Sequence, residues 1–167
     1  MAFGTTAAGT ITKEQTLLSI RRIGVAASTT ITKGEVVVQD AGGDLITATT
    51  TQGTGPFYVA LETVDNSAGA DGDLQCPVAV NGHYVTVVAG GAITPGDFVQ
   101  QDSTVPGRVE TWDELTVGQQ VGIYFGKEGG TIAKGATTPY LESYTDGADF
   151  IPTDAADGDV IEVLLVN

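Results

Sequence analysis

The chain has 167 residues, enough for one domain with a real core, and its 23 glycines lie among abundant Thr, Val and Ala. Leu is sparse and Lys plus Arg number only 7, so long amphipathic helices have little to be built from, while short strands joined by glycine turns have plenty. The net charge of −14 opposes binding to phosphate backbones or anionic lipid, so nucleic acid and membrane are not expected as partners.

Residues 1–18 begin with small and polar side chains and read as a flexible N-terminal arm carrying Lys13. A strand is expected over 19–25, with Arg21 and Arg22 set among β-branched residues, in preference to a helix running on from Lys13. Charge is split along the chain. Residues 1–34 hold four bases against one acid, and the remaining residues hold three bases against twenty acids, so a basic start is joined to an acidic body. Thr32-Lys33-Gly34-Glu35 reads as a tight turn into Val36-Val37-Val38, followed by a hairpin at 41–44 and a return strand from Leu45. Phe57 to Leu61 is a continuous apolar run, as a strand buried on both faces requires. Pro77, lacking an N–H, is expected on an edge strand or at a bulge.

From Ile93 the chain repeats itself. Ile31-Thr32-Lys33-Gly34-Glu35-Val36-Val37-Val38-Gln39-Asp40 returns as Ile93-Thr94-Pro95-Gly96-Asp97-Phe98-Val99-Gln100-Gln101-Asp102. Phe57 to Glu62 returns as Ile123 to Glu128, pairing Tyr58 with Tyr124, and Asp71-Gly72-Asp73 returns as Asp157-Gly158-Asp159. The expected organisation is a single β domain over 19–167, with repeat-like units at 31–81 and 93–167 and an insertion at 129–156. Gly34 and Gly96 define equivalent turns that need a positive φ. Thr111 to Gly118 reads as one helical turn capped by Thr111 with Glu114. The insertion carries Tyr140, Tyr144 and Phe150, a candidate subunit or partner interface. Val160 to Val166 reads as a strongly apolar final strand.

No constellation for catalysis is found, and the chain is not expected to be an enzyme. His83 is the only histidine and reads as a partly exposed strand residue without an orienting partner. Serines lack a nucleophile elbow, and there is no Walker loop or dinucleotide fingerprint. The Asp-Gly-Asp segments offer oxygen ligands but lack the twelve-residue calcium loop, so they read as turns, and no metal or cofactor is expected. Cys76 is the only cysteine, which excludes an internal disulfide. A secretion leader and an apolar span are also absent from the pattern, and the expected product is soluble and made in a cytoplasm.

Arg21-Arg22-Ile23, Ile31 to Val38, Tyr58 to Glu62, Ala92 to Val99 and Val121 to Tyr124 together resemble the capsid decoration proteins of tailed bacteriophages, also called head-stabilisation or cement proteins. The resemblance covers about residues 19–128 and the last strand. It implies an all-β fold, a small β-barrel or β-tulip, and a homo-oligomer with a trimer favoured. It also implies a place on the outer capsid surface, bridging major capsid proteins. Lys13, Arg21 and Arg22 are the candidate capsid-binding residues on that reading. The same turn pattern is similar to antifreeze-like β-clip modules, and a glycan-binding or fibre module on a virus or cell surface is a further alternative.

Overall fold

The computed structural model describes residues 8–9, 11–13, 20–49, 56–113, 120–128, 150–151 and 153–166. They form fourteen strands and no helix: β1 (Ile11–Lys13), β2 (Arg21–Gly24), β3 (Thr29–Ile31), β4 (Val36–Gln39), β5 (Leu45–Thr47), β6 (Tyr58–Ala60), β7 (Val64–Asn66), β8 (Gln75–Ala79), β9 (Tyr84–Val88), β10 (Phe98–Gln101), β11 (Val109–Thr111), β12 (Gln120–Glu128), β13 (Phe150–Ile151) and β14 (Val160–Leu165). The all-β reading of the composition holds.

One sheet has the order β2-β8-β6-β4-β5, another β1-β9-β14-β12-β10-β11 with β13 beside β12, and β3 and β7 form a separate pair. Take β1 and β13 away and the two large sheets run the same course, with β9, β14, β12, β10 and β11 in the places of β2, β8, β6, β4 and β5. In each, the two edges meet only at one end, through a single parallel bridge, Val25 to Leu45 in the first and Ala89 to Val109 in the second. Each sheet is therefore curled but open, and of the two forms the resemblance implies, β-barrel or β-tulip, a closed barrel is not formed. Beyond that bridge no ladder joins the two edges among the described residues.

Hydrogen bonds define which residues are equivalent. Gly34 N donates to Ala60 O and Gly96 N to Tyr124 O, both at 2.8 Å. Ala60, not Tyr58, is thus the counterpart of Tyr124, a shift of two from the match in the sequence. The strand pairing also begins each unit earlier than 31 and 93, at β2 and β9.

Consecutive apolar residues in β4, β6 and β8 explain the layering, because a strand that is apolar on both faces can sit between two cores. Val37, Tyr58, Ala60, Cys76 and Val78 fill the inside of the first curl together with Ile23, Val25, Ile31 and Leu45. From the same strands, Val36, Val38, Phe57, Val59 and Ala79 face the other way and join one continuous cluster with Val87, Val99, Tyr124, Ile161 and Val163 of the second sheet. Phe57 to Ala60 is buried on both faces, as its unbroken apolar run requires.

Three local expectations are corrected. Pro77 lies in β8, which has β2 on one side and β6 on the other and pairs with both without a register shift, so it is on neither an edge strand nor a bulge. Leu61 N donates to Pro77 O just past the end of β6, so the missing proline N–H falls where the ladder already stops. His83 is fully buried rather than partly exposed, its Nδ1 3.0 Å from Val80 O in the turn before β9. Thr111 ends β11 and its hydroxyl donates to Ala92 O, so it does not cap a helix there. Glu114 lies outside the described residues.

Candidate partner-binding edge

Arg21 and Arg22 open β2, whose burial alternates only after them: both arginines are exposed and Ile23 is buried. Arg21 shares the inward face of Ile23 at the mouth of the curl, and its guanidinium donates to the Tyr58 hydroxyl at 3.4 Å. The Tyr58 hydroxyl in turn donates to Gln39 Oε1. Arg22 projects to the other face. Two cations thus stand on either side of one strand of an acidic molecule.

β8 occupies one edge of β2, and among the described residues no strand pairs with the other. The second unit shows what such an edge can accept. There β9 holds the place of β2, and β1 lies along its outer edge, antiparallel, with Ile11 opposite Val85 and Lys13 opposite Tyr84. Gly9 N adds a bond to Thr86 O at 2.6 Å. Thr86 pairs with Glu162 as Arg22 pairs with Pro77, so Arg22 is the counterpart of Thr86. Backbone N–H and C=O of one residue point to the same side of a strand. Those of Arg22 therefore face outward, in the position from which Thr86 accepts Gly9.

This changes the place of the arm. Lys13 lies in β1, on the edge of the second sheet, and Ala8 and Gly9 are packed against the Gly34 turn of the first. The described part of the arm is docked on the body, contrary to the free arm expected. The structure separates Lys13 from Arg21 and Arg22, placing it on a different sheet. A sequence signal for this existed in the β-branched Ile11-Thr12. It was hidden by the small-residue run before it.

Of the remaining candidates, Gly34 and Gly96 have φ of 89° and 94°. Their turns match bond for bond: Thr32 N donates to the Glu35 carboxylate and Thr94 N to that of Asp97, each at 3.1 Å. Phe150 lies in β13, with its backbone paired to Glu128. Tyr140 and Tyr144 lie outside the described residues. The Asp-Gly-Asp segments use their carboxylates on the chain itself. Asp71 accepts from Ala27 N and Asp73 from Ala70 N, while Asp157 pairs with Arg108 at 3.0 Å. Asp159 accepts from Ala156 N and from Lys127 Nζ, which together hold its carboxyl below the usual range. Burial pushes the Cys76 thiol up, away from the reactive thiolate.

Two equivalent five-stranded units, joined by one core and carrying acidic turns whose carboxylates are used within the chain, define a duplicated all-β scaffold. The chain shares its fold with the N base of the head fiber protein gp8.5 of bacteriophage phi29, at a TM-score of 0.52 and 14% sequence identity, over 89% of this chain and 95% of that one. No protein-family model matches the sequence. No curated protein matches it either.

Proposed function

We propose that the chain is a non-enzymatic structural protein of a tailed-phage virion, bound to the outer surface of the capsid through the open edge of β2. The observation that carries the reading is the fold shared with a phage head fiber base over nearly the whole of both chains. The open edge supports it independently. An extended segment of a major capsid protein would add a strand beside β2, and acidic side chains on that segment would meet Arg21 and Arg22. Many copies on one shell act together, so each contact can be modest.

Two finer roles fit this attachment. A cement protein bridges neighbouring capsid proteins and stabilises the shell, whereas a fibre base anchors a projecting module. The name of the structural neighbour favours the second as an alternative to the first.

Cosedimentation with expanded capsids of the phage that encodes the chain tests the attachment. Arg21→Glu with Arg22→Glu should abolish most binding while leaving the far-ultraviolet spectrum unchanged, and the loss should be larger at low salt. Equal binding by the double variant would overturn the edge assignment. Heating decorated and bare capsids then separates the roles, because only a cement protein raises the temperature at which the shell opens.

A further inference from the structure

This acidic chain leaves two of its few cations without a carboxylate. Arg108 and Lys127 each pair with an aspartate at 3.0 Å, but among the described residues Arg21 and Arg22 form no ion pair. Both are exposed, on the strand whose outer edge is open. Ile20, just before them, is 48% exposed, so an apolar side chain stands beside the two cations.

The repeat shows how a strand would lie on this edge. With Arg22 in the place of Thr86, Arg21 takes the place of Val85, which β1 meets antiparallel with Ile11 directly opposite. Residues directly opposite in an antiparallel pair share a face. A residue opposite Arg21 therefore shares the inward face of Arg21 and Ile23, at the mouth of the first curl. What it would find there differs between the units. Val85 is fully buried and apolar, whereas Arg21 brings a guanidinium, with the buried Tyr58 hydroxyl behind it at 3.4 Å and Gln39 behind that at 3.3 Å. One long bond to a neutral oxygen engages a single guanidinium donor of five. A carboxylate matches the remaining fork with two parallel bonds, which an amide or a hydroxyl does not. A residue opposite Arg22 falls on the outer face, where solvent and salt screen its charge.

We propose that the β2 edge takes an extended acidic peptide, antiparallel to β2, and that Arg21 sets its register by holding an Asp or Glu carboxylate at the mouth of the first curl. Arg22 adds attraction without selecting the residue opposite it. The proposal rests on the β2 edge as the attachment site, and it adds the direction of the partner strand and the one side chain that strand must carry.

Peptides copying residues 8–13 of the chain are suitable probes, since the second unit accepts that backbone on the equivalent edge. One keeps Ile11, one has Ile11→Asp and one has Ile11→Asn. Titrated over the millimolar range into isotope-labelled protein, the Ile11→Asp peptide should shift the amide NMR signals of Ile20 to Gly24 and bind about tenfold more tightly than the other two. Arg21→Gln should erase that preference, and Arg22→Gln should keep it. Equal binding by the three peptides overturns the proposal. So do β2 amides that no peptide shifts, or that shift with protein concentration alone, which would put a second copy on the edge. Peptide selectivity without capsid cosedimentation would sink the virion reading alone. Cosedimentation that depends on the two arginines, without peptide selectivity, would sink only the role given to Arg21.

Discussion

Gly34 and Gly96 hold equivalent turns with nearly equal φ, but their surroundings differ. A Cβ on Gly96 would meet nothing within 4 Å, whereas one on Gly34 would overlap Ala8 Cβ and crowd the backbone of Gly9. Gly96→Ala should therefore cost only its backbone strain, about 1–2 kcal/mol. Gly34→Ala should cost that and about 1–3 kcal/mol more for the overlap. Urea denaturation of the two variants measures the difference, and equal losses would show that the N-terminal segment gives way freely. The need for these glycines was legible in the sequence because few residues other than glycine tolerate a positive φ. Tyr58 and Tyr124 misled for the opposite reason. A tyrosine suits many half-buried strand positions, so a shared letter does not fix register. The backbone bonds that align Tyr124 with Ala60 leave no mark on the side chains. Burial also raises the Tyr124 hydroxyl above its ordinary range, and it donates to Thr153 O in the chain leading to β14. Ala60 has no hydroxyl with which to do the same.

At the scale of elements, strands and turns were legible, and their partners much less so. Apolar runs bounded by Gly, Pro and Asp located β4, β6, β9 and β14, since each strand must bury at least one face. What lies beside a strand depends on chain far away in sequence, which is why Pro77 reads as an edge or bulge residue and the segment of β1 as a flexible arm. β1 binds β9, and Gly9 and Ala8 reach from there to the Gly34 turn, so this short segment ties the second sheet to the first. Removing residues 2–13 should then destabilise the body by about 1–3 kcal/mol, the scale of a few lost backbone bonds. A lower urea midpoint with an unchanged slope is the expected result. An unchanged midpoint would mean that the segment merely rests on the surface. Because the same deletion leaves β2 in place, capsid binding through its edge should survive it, which separates the edge from the arm as the attachment site.

At the scale of the molecule, the duplication predicts two units, yet the distribution of the core argues against two independently stable ones. Val36, Val38, Phe57, Val59 and Ala79 of the first unit belong to the same cluster as the interior of the second. If either sheet unfolded alone, the other would expose a fully apolar face, at about 25 cal/mol for every Å² bared. That penalty should make unfolding a single cooperative event. The sequence supplies one reporter for each unit. Cys76 lies fully buried inside the first curl, and Trp112 lies beside Phe98 on the second sheet. Thiol labelling of Cys76 and emission from Trp112, followed through the same urea series, should give coincident midpoints. A Cys76 transition that precedes the Trp112 transition would show the first unit opening on its own, and the shared cluster would then be an interface between two domains rather than one core.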